Sequence, residues 1–376
     1  MDSVSKIIYR IYDKINKIDR RSWDAVFGSI PESYLFFKAL ENSEFLEFRF
    51  YYLVIESDND IVLIAPLFSA DFNLDIAVEG WLSKFIKSIR KVFPRFLIIK
   101  TLFCGSPFGE HGVLGIKQSF KDNSEIIPLL LNGIKNCGAR VNTSLVVFKD
   151  FLKQDTLFLD ALIKKGYTKV ESFPTVAAEL NFASFEGYLE SLGSSASKYL
   201  DRKLRQAYSR GKIEVKVVKN VVGEIDQIFK LYENTYHKGA TKFEHLTKKF
   251  FLEVANDLNS PARFFLYYID DKLAAFNLCF IYEDLFIDKF VGFDYEISRQ
   301  FNLYFVSQSY NIKWCLSNSL CYYYCGPTNY ETKLRLGGKL IPLYAYLRHK
   351  NVFFNFLIKL LAVLLKPDNF DQNLRK

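Results

Sequence analysis

The stretch FYYLVIESDNDIVLIAPLF, which runs from Phe50 to Phe68, decides the prediction of the fold. Its two runs of β-branched and aromatic residues flank a polar segment, Ser57 to Asp60, which predicts an antiparallel hairpin. A second stretch, FFLYYIDDKLAAFNLCF from Phe264 to Phe280, repeats this pattern around Asp270–Asp271. Two hairpins of one style, separated by more than half of the chain, predict an internal duplication of a whole domain.

The length agrees with a duplication. At 376 residues the chain is too long for one ordinary core, and two domains of roughly 150–200 residues are expected. Helical spacing from Asp155 to Lys165 ends at Gly166, and PTVAAELNF then begins a strand, so we place the boundary there. The predicted domains are residues 1–173 and 174–350, followed by an apolar C-terminal helix and tail at 351–376. The alternation of strands and helices predicts an α/β fold with a mixed sheet.

Composition and charge limit the class of protein and the kinds of partner, but they do not identify the function. Hydrophobic residues make up 49% and charged residues 24% of the chain, which is typical of a globular protein. A net charge of +8 favours anionic partners such as cofactor phosphates, nucleic acid or a membrane surface. The six cysteines form no CxxC pair and only four histidines are present, so we expect no metal. Reduced, buried thiols predict a cytoplasmic protein.

The C-terminal segment raises a question about membranes. The run from Val352 to Leu365 is shorter than the roughly 20 residues that span a bilayer, and Asn355 and Lys359 interrupt it. Its apolar face must nevertheless be covered; the face consists of Phe353, Phe354, Leu357, Leu360, Leu361 and Leu364. We rank docking onto the protein body or a homodimer contact first, and peripheral contact with the inner membrane second.

Three segments then carry a resemblance to a known family: YLDRKLRQAYSRGKIEVKVV (199–218), the stretch from Phe264 to Asp294 that ends IDKFVGFD, and GPTNYETKLRLGGKLIPLYAYLRH (326–349). In this order they resemble the second domain of the bacterial two-domain, Fem-like predicted N-acyltransferases of the GNAT superfamily. A YxxKLRLG-like signature of that family is matched by Tyr330, Lys333, Leu334, Arg335, Leu336 and Gly337. Residues 23–43 and 106–115 also look like its first half.

The resemblance implies two tandem GNAT-like domains with mixed, mostly antiparallel sheets flanked by helices. It also implies acyl transfer from an activated donor to an amine. One departure concerns the donor, because GNAT acetyltransferases hold the CoA pyrophosphate on a [QR]xxGx[GA] loop at a helix N-terminus. The equivalent stretch here, Phe293 to Gln308, lacks the glycine pair. Acyl-CoA, an acyl carrier protein and aminoacyl-tRNA therefore all remain open as donors.

The signature segment supplies the first candidate site residues. Glu331 is the candidate general base, because an amine must lose its proton before it attacks; the alternative is an exposed charge or an ion pair with Lys333. Lys333 and Arg335 alternate, so in an extended segment they share one face that could bind phosphate or carboxylate, or simply be solvated. Tyr330 either donates a hydrogen bond to the substrate or packs in the core.

Three further candidates lie elsewhere. His111, flanked by Gly109 and Gly112 in a predicted loop, is a candidate base or substrate contact. Asp288 lies inside an apolar strand, where a carboxylate needs a partner or lines a cleft. Arg205 belongs to a basic helix face between Lys198 and Arg210, which either binds donor phosphates, a carrier protein or tRNA, or is solvated.

Three functions follow as hypotheses. The first is N-acyl transfer to a small-molecule amine or cell-envelope precursor, without metal, redox cofactor or DNA. The second is tRNA-dependent aminoacyl transfer to a cell-wall precursor, against which we count the lack of a long heptad insertion in the second half. The third is a non-catalytic binding module that retains the fold, which the missing glycine pair favours and the retained YETKLRLGG segment opposes.

Overall fold

The computed structural model describes residues 6–73, 98–239, 245–256, 260–362 and 366–375. The chain forms two compact units. The first comprises Met1–Glu41, Phe45–Phe173 and Pro342–Lys376, and the second comprises Asn42–Glu44 and Pro174–Ile341. The chain therefore passes from one unit to the other between Phe173 and Pro174 and returns after Ile341.

The first half of the chain alternates strands and helices in one order. Its strands are β1 (Ile7–Tyr12), β2 (Arg49–Ser57), β3 (Asp60–Asn73), β4 (Ile98–Cys104), β5 (Gly115–Ile116), β6 (Leu145–Leu152) and β7 (Thr168–Glu179). Its helices are α1 (Arg20–Phe27), α2 (Tyr34–Asn42), α3 (Ile126–Arg140) and α4 (Thr156–Leu159). Short 3-10 turns lie at Ile15–Lys17, Gln118–Phe120, Lys153–Asp155 and Asp160–Lys165.

The second half begins with two helices and then follows the same order. Its strands are β8 (Ile213–Val218), β9 (Ala262–Ile269), β10 (Lys272–Tyr282), β11 (Leu285–Phe293), β12 (Tyr322–Tyr324) and β13 (Lys339–His349). Its helices are α5 (Phe185–Ser191), α6 (Ser194–Tyr208), α7 (Ile225–Lys238), α8 (Lys248–Asn256), α9 (Tyr295–Gln300), α10 (Leu303–Ser317), α11 (Tyr330–Arg335) and α12 (Val352–Leu361). Two 3-10 turns follow, at Pro367–Asn369 and Gln372–Leu374.

Strand pairing confirms a duplicated, mostly antiparallel fold. In the first unit the strand order is β1-β2-β3-β4-β6-β13, and among its described strands only β4 and β6 are parallel. In the second unit the order is β8-β9-β10-β11-β12-β7, and only β11 and β12 are parallel. Each sheet thus places its one parallel pair at the same step, where a crossover helix, α3 or α10, joins the two strands. The predicted fold class of tandem α/β domains is therefore correct.

The two predicted hairpins are present, and their turns have the same chemistry. β2 pairs with β3, and β9 pairs with β10, both antiparallel. Positive φ angles occur at Asp58 and Asn59 in the first turn, and at Asp270 and Asp271 in the second. Two successive positive φ values are what a type I′ turn requires, and Asp and Asn tolerate them because their side chains hydrogen-bond locally.

The last strand of each repeat joins the other unit, which sequence analysis did not foresee. β13, the last strand of the second repeat, pairs with β6 in the first unit, with Leu343 opposite Leu152 and His349 opposite Leu145. β7, the last strand of the first repeat, pairs with β12 in the second unit. The predicted second domain, 174–350, is therefore wrong from Pro342 onward. The physical reason is that a strand's sequence does not specify which neighbour it pairs with.

At two glycines, a helix and a strand approach each other too closely for any larger side chain. A Cβ at Gly133 of α3 would lie 2.4 Å from Leu53 Cδ1 of β2, so α3 packs tightly on the first sheet. A Cβ at Gly292 of β11 would lie 2.7 Å from the backbone of Leu231 in α7. The second core is filled by α6 and α10, whose buried apolar residues are Leu200, Leu204, Ala207, Leu303, Val306, Ile312 and Cys315.

The C-terminal helix differs from its expected packing. α12 begins at Val352 with Asn351 as its N-cap, and none of its residues is fully buried. Phe353, Phe354, Leu360 and Leu361, which were expected to dock onto the body or onto a partner chain, remain 48–63% exposed in the single chain, whereas Leu357 is half-buried. Leu364 lies outside the described residues. Among the residues that the structure describes, no helix has the length and apolar character that crossing a bilayer requires.

Candidate functional site

The second unit opens where its two parallel strands part. β11 and β12 pair over only three residues, from Leu285 opposite Tyr322 to Ile287 opposite Tyr324. β12 then ends, whereas β11 continues to Phe293. Leu278 pairs with Phe290 but Cys279 pairs with Asp288, so Lys289 is the extra residue of a β-bulge at this point. In open α/β sheets, ligands bind beyond the carboxyl ends of parallel strands, which makes this parting the candidate site.

Asp288, the first β11 residue beyond the parting, is the centre of a buried hydrogen-bond network. The Asn277 amide donates to Oδ1 at 2.8 Å and to Oδ2 at 2.9 Å. Oδ2 also accepts from Gln308 Nε2 at 3.0 Å, Asn311 Nδ2 at 3.2 Å and the Tyr323 hydroxyl at 3.0 Å. All five side chains are buried. The network therefore joins β10, β11, β12 and α10 at the place where the strands separate.

The burial of Asp288 and its hydrogen bonds indicate the role of this residue. Burial raises the pKa of its carboxyl group above the ordinary value of 3.8, and hydrogen bonds from Asn277 and Tyr323 oppose that shift. Both carboxylate oxygens accept hydrogen bonds from buried protein donors, so the protein encloses the carboxyl group on its ligand-binding sides. We therefore interpret Asp288 as a positioning residue that holds α10 against the strands, and not as a proton acceptor.

The hydroxyl of Tyr304 lies beside this network. Among the described residues, it has no hydrogen-bond partner at normal geometry. Tyr304 lies in the first turn of α10, and its buried hydroxyl lies near the Asn329 side chain, with Cys325 and Asp288 as electrostatic neighbours. Burial raises the pKa of Tyr304 above the ordinary tyrosine value, so the hydroxyl keeps its proton. A buried phenol without a hydrogen bond is costly, which indicates that it donates to a ligand or water.

The signature segment YETKLRLGG folds as a short helix and a glycine turn. Tyr330 to Arg335 form α11, and Gly337 follows in the left-handed region at φ +81°. A Cβ on Gly338 would lie 2.8 Å from the Lys333 carbonyl and 2.5 Å from Val176 of β7, so only glycine fits there. The two glycines therefore end the helix and let the chain pass close to β7.

The helical form of this segment corrects one prediction. Lys333 and Arg335 do not share a face, because residues two apart on a helix point in different directions. Lys333 is buried, and its ammonium donates to the carbonyls of Cys325 and, at 3.1 Å, of Gly326. Lys333 thus fastens the loop after β12. Arg335 remains exposed.

Of the other two candidates in this segment, Tyr330 is buried and Glu331 is exposed. The Tyr330 hydroxyl donates to the Pro174 carbonyl at 2.8 Å, and its ring is 3% exposed, so Tyr330 packs in the core of the second unit. Glu331 lies in the first turn of α11 and is exposed. Of the four signature candidates, Glu331 and Arg335 are therefore the two that a ligand can reach.

A group of cations and rings lies at the start of α10, and we call it the Tyr199 cluster: Tyr199, Arg202, Lys203, Arg335 and Phe305. Three charged groups lie over the Tyr199 ring, with distances to its centroid of 5.5 Å for Arg202, 5.7 Å for Lys203 and 4.9 Å for Arg335. The Phe305 ring contacts Tyr199 edge-on at 5.5 Å. Among the described residues, none of the three cations forms an ion pair with a carboxylate.

The Tyr199 cluster lies against the N-terminus of a long helix. Lys203 Nζ donates to Asn302 Oδ1 at 3.4 Å, and Asn302 Nδ2 donates to the Lys203 carbonyl at 3.2 Å. Asn302 is the N-cap of α10, which has 15 residues. Helix N-termini favour anions, and the three cations of the cluster add to that field. The arrangement fits a phosphate group.

Arg205, the candidate from the same basic helix, does not belong to this cluster. It is exposed and forms an ion pair with Asp201, one turn earlier on α6. The stretch is helical, as expected: α6 begins at Ser194, ends at Tyr208 and buries Leu200, Leu204 and Ala207. The charge that points toward α10 is carried by Arg202 and Lys203 instead.

His111 lies in the first unit, in the loop that follows β4. Its Nδ1 lies 3.5 Å from the Gly112 carbonyl, and the ring is half-buried. Burial raises the pKa of nearby Asp155, and the proximity of His111 opposes that rise. In the same loop the Glu110 amide donates to Glu32 Oε1 at 2.7 Å. His111 therefore belongs to a polar loop of the first unit, whereas the other six predicted site residues lie in the second.

Sequence analysis missed the partners of Asp288. Asn277 lies within the run AAFNLCF, and Gln308 and Asn311 lie three residues apart on α10. Residues spaced by three on a helix share one face, so the sequence indicated that these two amides lie together. The Tyr199 cluster gave no such signal, because Arg335 is distant in sequence from Tyr199. In the described ranges, no three His, Cys, Asp or Glu side chains come together as metal ligands.

Comparison with known proteins agrees with this architecture. A family described as FemAB-like, peptidoglycan biosynthesis/recognition, matches residues 14–338. A solved structure of FemX is similar over 91% of this chain and 98% of its own, at 11% identity and a TM-score of 0.59. A tandem GNAT protein from the clavulanic acid biosynthesis pathway, solved without acetyl-CoA, covers 92% of this chain and 99% of its own, at 9% identity and a TM-score of 0.53. At such low identities these likenesses show the fold.

One curated relative has a longer chain. A protein of Mycobacterium tuberculosis named "Putative 8-amino-7-oxononanoate synthase 2" is 24% identical over 323 residues. The match takes in 84% of this chain and 42% of that protein. The chain thus spans less than half the length of the curated relative that it matches. The synthase activity in that name belongs to the relative.

Proposed function

Since the chain belongs to the FemAB-like family of peptidoglycan biosynthesis and recognition, we propose that it transfers an acyl or aminoacyl group from a phosphate-bearing donor to an amine. The observation that carries this proposal is the Tyr199 cluster at the N-terminus of α10, next to the parting of β11 and β12. Acyl-CoA, a carrier-bound phosphopantetheine and aminoacyl-tRNA all carry phosphate, so the cluster suits each of them.

The chemistry needs three operations at this site. The amine loses a proton, its nitrogen forms a bond to the donor carbonyl carbon, and the carbon–sulfur or carbon–oxygen bond to the carrier breaks. Glu331 is exposed and lies on α11 with Arg335, so it is the proposed proton acceptor. The Tyr304 hydroxyl, which keeps its proton and completes no hydrogen bond within the described chain, is the proposed donor to the developing oxyanion.

The remaining residues of the site position these groups. Asp288 fixes α10 through Gln308 and Asn311, so it fixes the turn that carries Tyr304. Lys333 fastens the loop that leads from β12 to α11. Neither residue is required to touch the substrate in this proposal.

A second candidate function is aminoacyl transfer from tRNA to a cell-wall precursor. It is favoured by the peptidoglycan description of the family and by the net charge of +8, which suits a polyanion. A third is recognition of a precursor without chemistry, which the word recognition in the same description also covers. In place of the glycine loop of standard acetyltransferases the chain has α9 and Asn302, so we expect weak binding of CoA.

One experiment separates these functions. Mass spectrometry of small molecules that co-purify with the protein, followed by titration with acetyl-CoA, acyl carrier protein and aminoacyl-tRNA, identifies the donor. Acyl transfer to an added amine with any of them supports the proposal, and transfer from tRNA alone selects the second candidate. Precursor binding without turnover of any donor selects the third. Submicromolar binding of acetyl-CoA would show that the missing glycine pair does not matter.

Removing charge from the Tyr199 cluster should weaken donor binding. We expect the double substitution Lys203→Gln/Arg335→Gln to raise the donor Kd by roughly 10- to 100-fold, because each charge-assisted contact with a phosphate is worth about 1.5–3 kcal/mol and screening reduces it. Calorimetric titration with the identified donor measures the change.

The matched control is Lys212→Gln/Lys230→Gln, which removes the same net charge from exposed positions outside the cluster. It should leave Kd within about twofold, since distant surface charges are screened. Equal losses in the two double variants would mean that only the overall charge attracts the donor, and the cluster would lose its assigned role.

A further inference from the structure

Helix α12 presents its apolar side chains to solvent. The exposed fractions are 84% for Val352, 63% for Phe353, 50% for Phe354, 55% for Phe356, 57% for Leu360 and 48% for Leu361. At 3.6 residues per turn, Val352, Phe353, Phe356 and Leu360 fall within an arc of roughly 100°. We call these four residues the α12 face. A continuous apolar face of this kind on a protein surface marks an interaction site.

The side of α12 opposite its exposed residues, which carries Asn355 and Ile358, is attached to the protein, and Ile358 packs against the buried cluster of Phe68, Phe103 and Leu145. Asn355 Nδ2 donates to the Gly166 carbonyl at 3.0 Å, and Asn355 Oδ1 accepts from the His349 amide at 3.0 Å. Asn351 Oδ1 caps the helix by accepting from the Phe353 amide at 2.9 Å. These hydrogen bonds and the packing of Ile358 fix the helix, so the α12 face cannot turn inward without breaking them.

Basic residues surround the α12 face. From Arg348 to Pro367 the chain carries Arg348, Lys350, Lys359 and Lys366 and no acidic residue. All four are exposed, as are Lys164 and Lys165, which precede the Gly166 carbonyl that anchors Asn355. Asp368 and Asp371 come only after this segment. An apolar face with a basic border complements a surface that offers both hydrocarbon and negative charge.

We infer that the α12 face binds the surface of an anionic lipid bilayer, with α12 lying in the plane of the interface. Phe353, Phe356 and Leu360 enter the boundary between headgroups and acyl chains, while Lys350 and Lys359 contact lipid phosphates. This property is independent of the proposed transferase activity. A second copy of the chain is less suited to the face, because the same basic residues would then approach one another.

The test uses the full chain and lipid vesicles. Sedimentation with phosphatidylcholine vesicles that contain phosphatidylglycerol should pellet the protein, and pure phosphatidylcholine vesicles should pellet far less of it. The triple substitution Phe353→Ser/Phe356→Ser/Leu360→Ser should lower the partition coefficient at least roughly tenfold. Because all three side chains are exposed, the variant should unfold at the same urea concentration as the wild type.

Matched controls remove apolar or charged groups separately. Leu46→Ser/Leu157→Ser removes side chains that are 97% and 89% exposed elsewhere in the first unit, and should leave vesicle binding unchanged. Lys350→Glu/Lys359→Glu should weaken binding to the anionic vesicles only. In Phe356→Trp, the added fluorescence should be quenched by lipids brominated on their acyl chains.

Three results would overturn the inference. One is wild-type protein that stays in the supernatant with anionic vesicles. Another is added fluorescence in Phe356→Trp that brominated lipids do not quench. The third is a wild-type dimer in sedimentation velocity that the triple serine substitution converts to a monomer, which would assign the α12 face to a second copy of the chain.

Discussion

Asp288→Asn is expected to lower the free energy of unfolding by about 3 kcal/mol or more. The substitution keeps the volume of the side chain but replaces one acceptor oxygen with an NH2 group, which donates and cannot accept hydrogen bonds from its neighbours. The carboxylate now accepts from Asn277, Gln308, Asn311 and Tyr323, all within the buried network. Leaving buried donors unsatisfied costs about 1–3 kcal/mol for each group. Urea unfolding of the full chain measures the change.

Asp284→Asn is the matched control, because Asp284 lies only four residues away and its side chain is exposed. It should change the free energy of unfolding by no more than about 0.5 kcal/mol. If both variants unfold at the same urea concentration, the network does not stabilise the fold where β11 and β12 separate. Asp288 would then have no positioning role.

The difference in stability between the wild type and Asp288→Asn should depend on pH. Burial raises the folded-state pKa of Asp288 above its ordinary value of 3.8, so the folded protein binds this proton more tightly than the unfolded chain does. The stability that the proton contributes is complete below the ordinary value and is lost as pH rises through the raised one. The stability of the wild type minus that of Asp288→Asn should therefore decrease with rising pH across this interval. A difference that increases with pH would contradict the raised pKa.

Glu331→Gln is expected to lower kcat by about 10²- to 10⁴-fold, which is the usual contribution of a general base. The substitution preserves size and removes only the ability to take a proton. Glu331 is exposed in the first turn of α11, so its loss should leave the unfolding curve unchanged. Steady-state kinetics with the donor identified by mass spectrometry measures the effect.

Glu296→Gln is the matched control, because Glu296 is likewise an exposed glutamate in the first turn of a short helix, α9. Its kcat should equal that of the wild type. A Glu331→Gln variant with full turnover would remove Glu331 from the mechanism and leave a surface charge in its place.

Together the two substitutions separate catalysis from architecture. Asp288→Asn should act on stability first, and any loss of turnover should come with a shift in the unfolding curve. Glu331→Gln should act on turnover alone. If no acyl transfer is found but Asp288→Asn still destabilises the protein, the fold has been retained without the chemistry, as the recognition hypothesis requires.

Local features of the fold could be predicted from the sequence because they depend on near neighbours. The hairpin of β2 and β3 and that of β9 and β10 follow from alternating apolar runs around Asp and Asn turns. The bounds of α6 follow from the spacing of Leu200, Leu204 and Ala207. The order of these elements in two halves was sufficient to predict a tandem α/β fold and a resemblance to Fem-like transferases.

The site could be predicted only in part. Asp288 was recognised as a buried carboxylate in need of a partner, but Gln308 and Asn311 were not recognised as partners, since helix spacing alone does not say which strand a helix covers. The shared face of Lys333 and Arg335 was expected only if the segment YETKLRLGG is extended, and Tyr330 to Arg335 are helical. That helix buries Lys333 and exposes Arg335.

Three further features were decided by tertiary structure alone. β13 pairs with β6 and β7 pairs with β12, although each strand would have suited either sheet by its own pattern. The Tyr199 cluster forms because α11 brings Arg335 to a ring that lies more than a hundred residues earlier. The apolar face of α12 points outward because hydrogen bonds from Asn355 anchor the opposite side. Sequence patterns specify which residues share a face, but the contacts of the folded chain decide what that face meets.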